Sequence, residues 1–345
     1  MQQYIIGDNE AGQRFDKYLK KILKEAPDSF IYKMLRKKNI VLNGTKCTGN
    51  EKLEKQDVVK IFLADDTFEK FSGRKLNTIS EGQSDYTGKL IEQYQNAFQN
   101  LKNITIIYED EEILVLNKPV GVLSQKAVAG DISLNEWMLG YLLKKGTITV
   151  TSLSTFKPSI CNRLDRNTSG MVVCGKTLAG SQYMSRIIKE KTLEKYYHCL
   201  VPGYILLNER LTGYLYKDNA SNKVTIYNTE DDIPDARRGK AEFIDTEFHT
   251  LRADSDCSLL EVQLFTGKTH QIRAHLASIG HPIIGDYKYG SAAINKKYSS
   301  LGIKSQLLHA YRLVFPLTHE ERFCNISELV LTCPEPKTFK KIQKI

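Results

Sequence analysis

The stretch NRLDRNTSGMVVCGKT, residues 162–177, decides how the fold is interpreted. It places one carboxylate, Asp165, between Arg163 and Arg166, and polar turn residues and the apolar run Met171 to Cys174 follow. The run predicts a buried strand, so the charged residues would lie on a loop at the mouth of a sheet. Neighbouring positive charge favours an ionised carboxylate, which can act as a nucleophile. An Arg–Asp pair that only fixes a loop looks the same, and these residues alone favour that simpler interpretation.

The segment before this stretch, IIYEDEEILVLNKPVGVLSQ at residues 106–125, predicts a β-hairpin. Two apolar runs flank the acidic turn Glu109 to Glu112, and Asn117-Lys118-Pro119 ends the second strand. The segment after it, LLEVQLFTGKTHQIRAHLASIGHPIIGDYKYG at residues 259–290, predicts a strand, a turn and a helix from His270 to Ser278.

The cysteines and histidines do not predict a metal site. His270 and His275 are five residues apart and do not share a helical face, and the H-E-x-x-H pattern of zinc hydrolases is absent. The seven cysteines are scattered without a C-x-x-C pair, which is typical of reduced thiols in a reducing compartment. With no apolar run of membrane-spanning length and no signal peptide at Met1 to Glu10, we expect a cytosolic protein.

Positive charge is concentrated near the N-terminus. Residues 13–38 contain nine Lys or Arg against three Asp or Glu, in a chain of formal net charge +9. Apolar residues recur there at helical spacing on both sides of Pro27, and a short strand, an Asn43-Gly44 turn and a second strand follow. The charges indicate a polyanionic partner. The candidate residues for contacting such a partner are Arg14, Lys17, Lys33, Arg36 and Lys37, the last three on one helical face.

The rest of the chain predicts an α+β protein in two parts. Residues 65–102 are rich in polar and turn-forming residues and are expected to form a linker, with a short helix at 89–98. From residue 104 onward short β-rich runs alternate with helices, without an internal repeat. The predicted organisation is therefore an N-terminal domain at 1–64, a linker at 65–102 and a catalytic domain at 103–345.

Two family resemblances follow from these motifs. Residues 12–64, with RFDKYLKK…IYKMLRKKNIVLNGTK, resemble the αL-type RNA-binding module named after a small-subunit ribosomal protein, the S-four domain. Residues 104–320 resemble the RluA-type pseudouridine synthases: RLDRNTSG is similar to their catalytic motif, TGKTHQIRAHL…GHPIIGDYKYG to their third signature, and KYYHCLVPG at 195–203 to their K-x-Y strand. The resemblance implies a small α/β module followed by a mixed, mostly antiparallel sheet with flanking helices.

The resemblance also implies site residues. It makes Asp165 the nucleophile, Tyr197 the ring beside the target base, and Arg273 the basic partner of Asp165; an aromatic face suits an extruded base, and a guanidinium can hold a carboxylate. Strand alternation sends Tyr196 and Tyr197 to opposite faces, and the family spacing selects Tyr197. Further candidate RNA-binding residues are Arg163, Arg166 and Lys268. The chain departs from the family at Asn162, often His, and at Ser124-Gln125, often His-Pro. The second departure lies near the substrate cleft in the family and puts the choice of target uridine in doubt.

The implied activity is isomerisation of uridine to pseudouridine in RNA, without cofactor or metal. We expect large-subunit (23S) ribosomal RNA as substrate because members with an S-four module usually act there, and transfer RNA is the alternative. A non-catalytic RNA chaperone or ribosome-assembly factor would not need Asp165, Tyr197 and Arg273 together. A glycoside hydrolase would need a second acid, and the sequence shows only arginines beside Asp165.

Overall fold

The N-terminal part combines two short helices with a small sheet. The computed structural model describes residues 1–7, 9–73, 81–150, 152–218 and 220–342, with the side chains of 81–87 and 154 excluded. Its first helices are α1 (Phe15–Ile22) and α2 (Asp28–Arg36). The sheet has the order β1-β4-β2-β3, with β1 (Gln2–Ile5), β2 (Ile40–Leu42), β3 (Thr45–Lys46) and β4 (Val58–Ile61). The helices and the hairpin lie where the sequence predicts them. Strand β1, four residues without a buried side chain, was not predicted.

The expected linker is helical at both ends. Helix α3 (Asp65–Ser72) places Phe68 in the core of the N-terminal part. Helix α4 (Glu81–Asn100) is twice as long as the predicted helix at 89–98, and it buries Tyr94 and Ala97 in the core of the catalytic part. The prediction was too short because the exposed positions of α4 that the structure describes are polar and resemble a solvated segment. The division into domains stays a prediction.

The catalytic part is built on one large, mostly antiparallel sheet, which confirms the predicted α+β class. In the described ranges its order is β11-β10-β12-β13-β9-β14-β8-β6-β5, with β15 paired to β14 and β7 paired to β8. The strands are β5 (Thr105–Glu109), β6 (Ile113–Lys118), β7 (Ser159–Ile160), β8 (Ser169–Gly175), β9 (Glu194–Pro202), β10 (Asn208–Asp218), β11 (Lys223–Tyr227), β12 (Glu242–Ala253), β13 (Cys257–Leu264), β14 (Leu308–Val314) and β15 (Val330–Thr332). Strand β14 pairs with β8 in parallel, and with β9 in antiparallel orientation.

Helices cover both faces of this sheet. They are α5 (Leu134–Lys145), α6 (Leu178–Lys189), α7 (Gln271–Ser278), α8 (Ala292–Ser299) and α9 (Lys337–Ile342), with 3-10 turns at Ser152–Ser154, Asp235–Arg237 and Glu321–Ile326. In β8, Val172 and Cys174 join the cluster with α5 and α7, whereas Met171 and Val173 join the cluster with α6. This alternation buries β8 on both faces. Within the described ranges, no helix combines the length and the apolar composition needed to cross a membrane.

Gly170 lets the two central strands meet. Its φ is +111°, and a Cβ there would stand 2.3 Å from the carbonyl oxygen of Ala310 on β14. A larger residue would push β14 away from β8, because backbone atoms cannot yield like a flexible side chain. The glycine of the RLDRNTSG motif therefore fixes the loop of Asp165 beside the strand that also pairs with β9.

Candidate active site

The loop that carries Asp165 is held by buried groups of the preceding hairpin. Lys118, fully buried at the end of β6, donates hydrogen bonds to the carbonyls of Pro119, Val122 and Arg166, at 2.8 to 3.1 Å. The Ser124 hydroxyl donates to the Leu164 carbonyl and accepts from the Leu164 amide, at 2.8 and 3.0 Å. These bonds restrict the backbone on both sides of Asp165, so the carboxylate is preorganised.

Asp165 and Arg273 form an ion pair in a cavity of about 650 Å³ that Tyr197 also lines. Arg273 Nη1 lies 2.7 Å from Asp165 Oδ2, although the two residues are 108 positions apart. The Asp165 side chain is 26 % exposed and that of Arg273 is 8 % exposed. The structure thus brings together the three residues that the sequence analysis selected.

A second carboxylate, Asp286, holds Arg273 from the other side. Arg273 Nε and Nη2 lie 2.7 and 3.0 Å from the two oxygens of Asp286, and the amides of Lys288 and Tyr289 donate to Asp286 Oδ1. Burial disfavours the Asp286 charge, but the hydrogen bonds and charge of Arg273 outweigh it and lower the Asp286 pKa. The expectation that only arginines accompany Asp165 was therefore wrong.

Asp286 does not make the site a glycosidase pair. Its side chain is 0 % exposed and, among the described residues, it accepts hydrogen bonds only from donors of Arg273, Lys288 and Tyr289, so it serves to orient Arg273. Although burial disfavours the Arg273 charge, hydrogen bonds and charges of Asp286 and Asp165 raise the Arg273 pKa. Asp286 was present in the quoted signature GHPIIGDYKYG, but its role depends on a contact that the spacing does not reveal.

Tyr197 and Tyr196 point to opposite sides of β9. Tyr197 is 8 % exposed and lines the cavity, and burial raises its pKa. Tyr196 lies on the other face, where its hydroxyl donates to Glu194 at 2.8 Å and the Arg312 guanidinium lies 3.8 Å from its ring centre. The predicted choice between the two tyrosines agrees with this placement.

His270 lies beside the ion pair, whereas His275 does not. His270 is the residue that precedes α7, with φ +55°, so the predicted helix begins one residue later than expected. Its Nε2 lies 3.9 Å from Asp165 Oδ2, and its Nδ1 lies 2.9 Å from the Tyr289 hydroxyl. Burial lowers the His270 pKa to about 4, although the Asp165 charge opposes this shift. His275 instead contacts Thr246 Oγ1 at 3.2 Å.

The two departures from the family pattern both line the cavity. Ser124 holds Leu164, the neighbour of the candidate nucleophile, as described above. Asn162 Oδ1 accepts from the Val173 amide at 2.8 Å and so ties the loop to β8. Ser124 and Asn162 each have a backbone partner within the protein, and both thereby hold the loop of Asp165.

The predicted RNA-binding residues near the cavity differ in whether their charged groups already have partners within the protein. Arg163 is exposed at the cavity and has no ion-pair partner among the described residues. Arg166 is exposed, and its Nε donates to the Gly121 carbonyl at 3.0 Å. Lys268 forms an ion pair with Glu242. RNA would have to compete for Lys268, whereas Arg163 is available.

The predicted RNA-binding residues of the N-terminal part lie outside the cavity. Lys17, Lys33, Arg36 and Lys37 are exposed, and we call these four residues the N-terminal basic surface. Arg14 is different, because it pairs with Asp16 at 2.8 Å and also donates to Asn50. Its side chain therefore stabilises the entry to α1 and is less free than the other four to contact a phosphate.

Comparison with known proteins gives a consistent result. Residues 112–278 match the family model described as RNA pseudouridylate synthase. An uncharacterised RNA pseudouridine synthase of Mycoplasma genitalium is 30% identical over 93% of this chain and 91% of its own length. The ribosomal large subunit pseudouridine synthase C of Vibrio vulnificus is 30% identical, over 90% of this chain and 87% of its own.

The fold has counterparts among solved structures. The human RNA pseudouridylate synthase domain containing 4 superposes with a TM-score of 0.56 at 20% identity, covering 73% of this chain and 96% of that one. The family match and a relative that matches over almost the whole chain favour a pseudouridine synthase over a purely non-catalytic RNA-binding protein. The chain belongs to the RNA pseudouridine synthase family, whose members isomerise uridine in RNA to pseudouridine.

Proposed function

We propose that the enzyme converts uridines of large-subunit (23S) ribosomal RNA, in the cytoplasm, with Asp165 as nucleophile and Arg273 and Tyr197 as its partners in the cavity. The observation that supports the site is the 2.7 Å contact between Arg273 Nη1 and Asp165 Oδ2 in a cavity lined by Tyr197. The support for the substrate is the similarity over 90% of the chain to a ribosomal large subunit pseudouridine synthase C.

The arrangement suits an isomerisation. The bond between ribose C1′ and uracil N1 breaks, the base turns, C1′ bonds to C5, the C5 proton leaves and N1 gains a proton, so no atom or electron is lost. Arg273 contacts only Oδ2 of Asp165. Oδ1 accepts no hydrogen bond from the residues that the structure describes, and it is therefore available to substrate. Attack on C1′ and attack on the base both require the ionised carboxylate that Arg273 stabilises.

The target uridine must leave its stack before it can enter the cavity. Extrusion of a base costs roughly a few kcal/mol. The Tyr197 ring offers an apolar face to the base, and exposed cations such as Arg163 and the N-terminal basic surface can hold the RNA backbone. Contacts to phosphate position the RNA without reading its sequence, which fits a module separate from the reacting residues.

The experiment is a comparison of pseudouridine maps of 23S ribosomal RNA and transfer RNA from cells with and without this gene. We expect specific 23S pseudouridines to disappear with the gene, to return with the wild-type gene, and to stay absent with the Asp165→Asn gene. Loss confined to transfer RNA would refute the proposed substrate. Restoration by Asp165→Asn would refute the proposed nucleophile.

A further inference from the structure

A second cationic side chain faces the cavity from the strand of Tyr197. Lys195 precedes Tyr197 by two residues on β9, so both side chains point to the same face. It lines the cavity, is 9% exposed, and its Nζ lies 4.0 Å from where a Cβ of Gly267 would stand. Its ammonium is thus held at the edge of the space in which we place the uridine.

Lys195 differs from the other buried lysines in having no partner. Within the described residues, no hydrogen bond or ion pair engages its Nζ, whereas Lys118 donates to three carbonyls and Lys176 pairs with Glu109 at 2.8 Å. Burial lowers the Lys195 pKa, and the positive charge of Lys191 lowers it further. Lys195 is largely buried and its ammonium has no partner among the described residues, so an anion that enters the cavity would be bound favourably.

The chemistry of the substrate limits what this anion can be. Uracil and ribose are uncharged, and the RNA brings its negative charge only in the phosphodiesters on either side of the nucleoside. We propose that Lys195 is a substrate-positioning residue that binds a backbone phosphate next to the target uridine. The proposal rests on the cavity of Asp165 being the uridine site, as proposed above. It adds a phosphate contact inside the cavity to those expected on the outer surface.

The test compares three variants by binding of a single-stranded oligouridylate over a range of salt concentrations. Lys195→Met, which keeps the length and removes the charge, should weaken binding about tenfold at low salt. It should also reduce the slope of log K against log salt by about 0.7, the loss of one phosphate contact to single-stranded RNA. Lys195→Arg should keep the slope. Lys340→Met, which removes an exposed lysine of α9, should leave both quantities unchanged.

Thermal unfolding separates a functional from a structural lysine. If the ammonium serves only to bind phosphate, Lys195→Met should keep or raise the Tm of the free protein. A lower Tm or a failure to fold would overturn the proposal, and so would an unchanged salt slope. Binding is measured on a probe independent of the natural RNA. A wild-type enzyme that binds the probe but does not modify 23S RNA would therefore refute the proposed substrate. The binding data would still decide whether Lys195 contacts a phosphate.

Discussion

The cavity and the N-terminal basic surface both use positive charge, but in opposite environments. In the cavity, Arg273 is 8% exposed and all three of its side-chain nitrogens contact carboxylate oxygens of Asp165 or Asp286. On the basic surface, Lys17, Lys33, Arg36 and Lys37 are exposed and have no ion-pair partner among the described residues. The buried ion pairs fix the positions of the side chains in the cavity, whereas the exposed cations create a positive electrostatic potential at the surface.

This difference has consequences for mutation. Removing one member of a buried charge network leaves its partner uncompensated in a low dielectric, so each loss should be large and specific. Exposed charges act nearly independently and are screened by salt, so each loss should be small and the losses should add. The predictions below test this contrast.

The largest effect is expected for Asp165→Asn. The substitution keeps the shape but removes the charge and the nucleophile, so turnover should fall by on the order of 10⁴-fold or more. RNA binding should persist, because Asp165 contributes no positive charge. Release of tritium from uridine labelled at C5 measures the turnover. More than trace release by the variant would show that Asp165 is not the catalyst.

Arg273→Met should have the next largest effect. It removes the cation that holds Asp165 Oδ2 and leaves Asp286 buried without its partner, so turnover should fall by about 10²-fold or more, and stability should fall by about 3 kcal/mol. Tritium release from uridine labelled at C5 measures the turnover, and urea unfolding measures the stability.

Two further variants sharpen this result. Arg273→Lys should recover only part of the rate, because an ammonium cannot contact both carboxylates with the planar fork of a guanidinium. His275→Ala should reduce turnover less than Arg273→Met, because His275 contacts Thr246 and lies apart from the ion pair. Wild-type turnover in Arg273→Met would refute the pairing and make Arg163 or Arg166 the better candidate.

A smaller, graded effect is expected on the N-terminal basic surface. Replacing Lys33, Arg36 and Lys37 with Ala should weaken RNA binding and reduce the salt slope by about 2. Each single substitution should have roughly a third of that effect, and turnover at saturating RNA should change less than affinity. Filter binding at several salt concentrations measures this. An unchanged slope would show that this surface does not touch RNA.

The smallest effect at neutral pH is expected from His309, which is buried beside neither cationic region. Burial lowers the His309 pKa to about 4, and the ring contacts Ser169 Oγ at 2.9 Å and the Cys333 carbonyl at 3.1 Å. The unfolded chain binds a proton below about pH 6.5 and the folded chain only near pH 4, so stability should fall as the pH drops from 6.5 to 4. His309→Gln should flatten this fall by up to about 1.4 kcal/mol per pH unit. Urea unfolding across this range measures the slope, and an equal slope in both proteins would contradict the prediction.

The sequence predicts those features of the fold and the site that depend on local patterns of residues. Asp165, Tyr197 and Arg273 lie in recognisable motifs, and the structure brings them together. The predicted strands around Met171 and Leu260 are present because alternating and buried apolar runs are local signals. Lys118 and Ser124 were not given a role, since their function depends on carbonyls and amides of a loop some 40 residues away. The order of strands in the sheet depends on still longer-range contacts.

The roles of Lys195 and helix α4 also depend on contacts that the sequence alone does not reveal. Lys195 lies within the quoted KYYHCLVPG motif, but its lack of a partner becomes visible only when the surrounding side chains are placed. The polar exposed side of α4 resembles a solvated linker, and its close packing against α5 is possible because Gly140 has no Cβ to clash with the Tyr94 carbonyl. Composition indicates what a segment exposes, whereas contacts decide what it does.

The central position of β14 in the sheet has a consequence for folding during synthesis on the ribosome. Asp165, Tyr197 and Arg273 are all synthesised before β14 (residues 308–314). Strand β8 follows Asp165 and strand β9 carries Tyr197, and in the described part of the sheet β14 joins these two strands. The small sheet and helices α1 to α3, with Phe68 of α3 in their core, are complete by Ser72 and are synthesised first. We expect the N-terminal basic surface to form before the cavity, because the pairing of β8 and β9 through β14 needs residues 308–314. We therefore expect RNA modification only after β14 has left the exit tunnel.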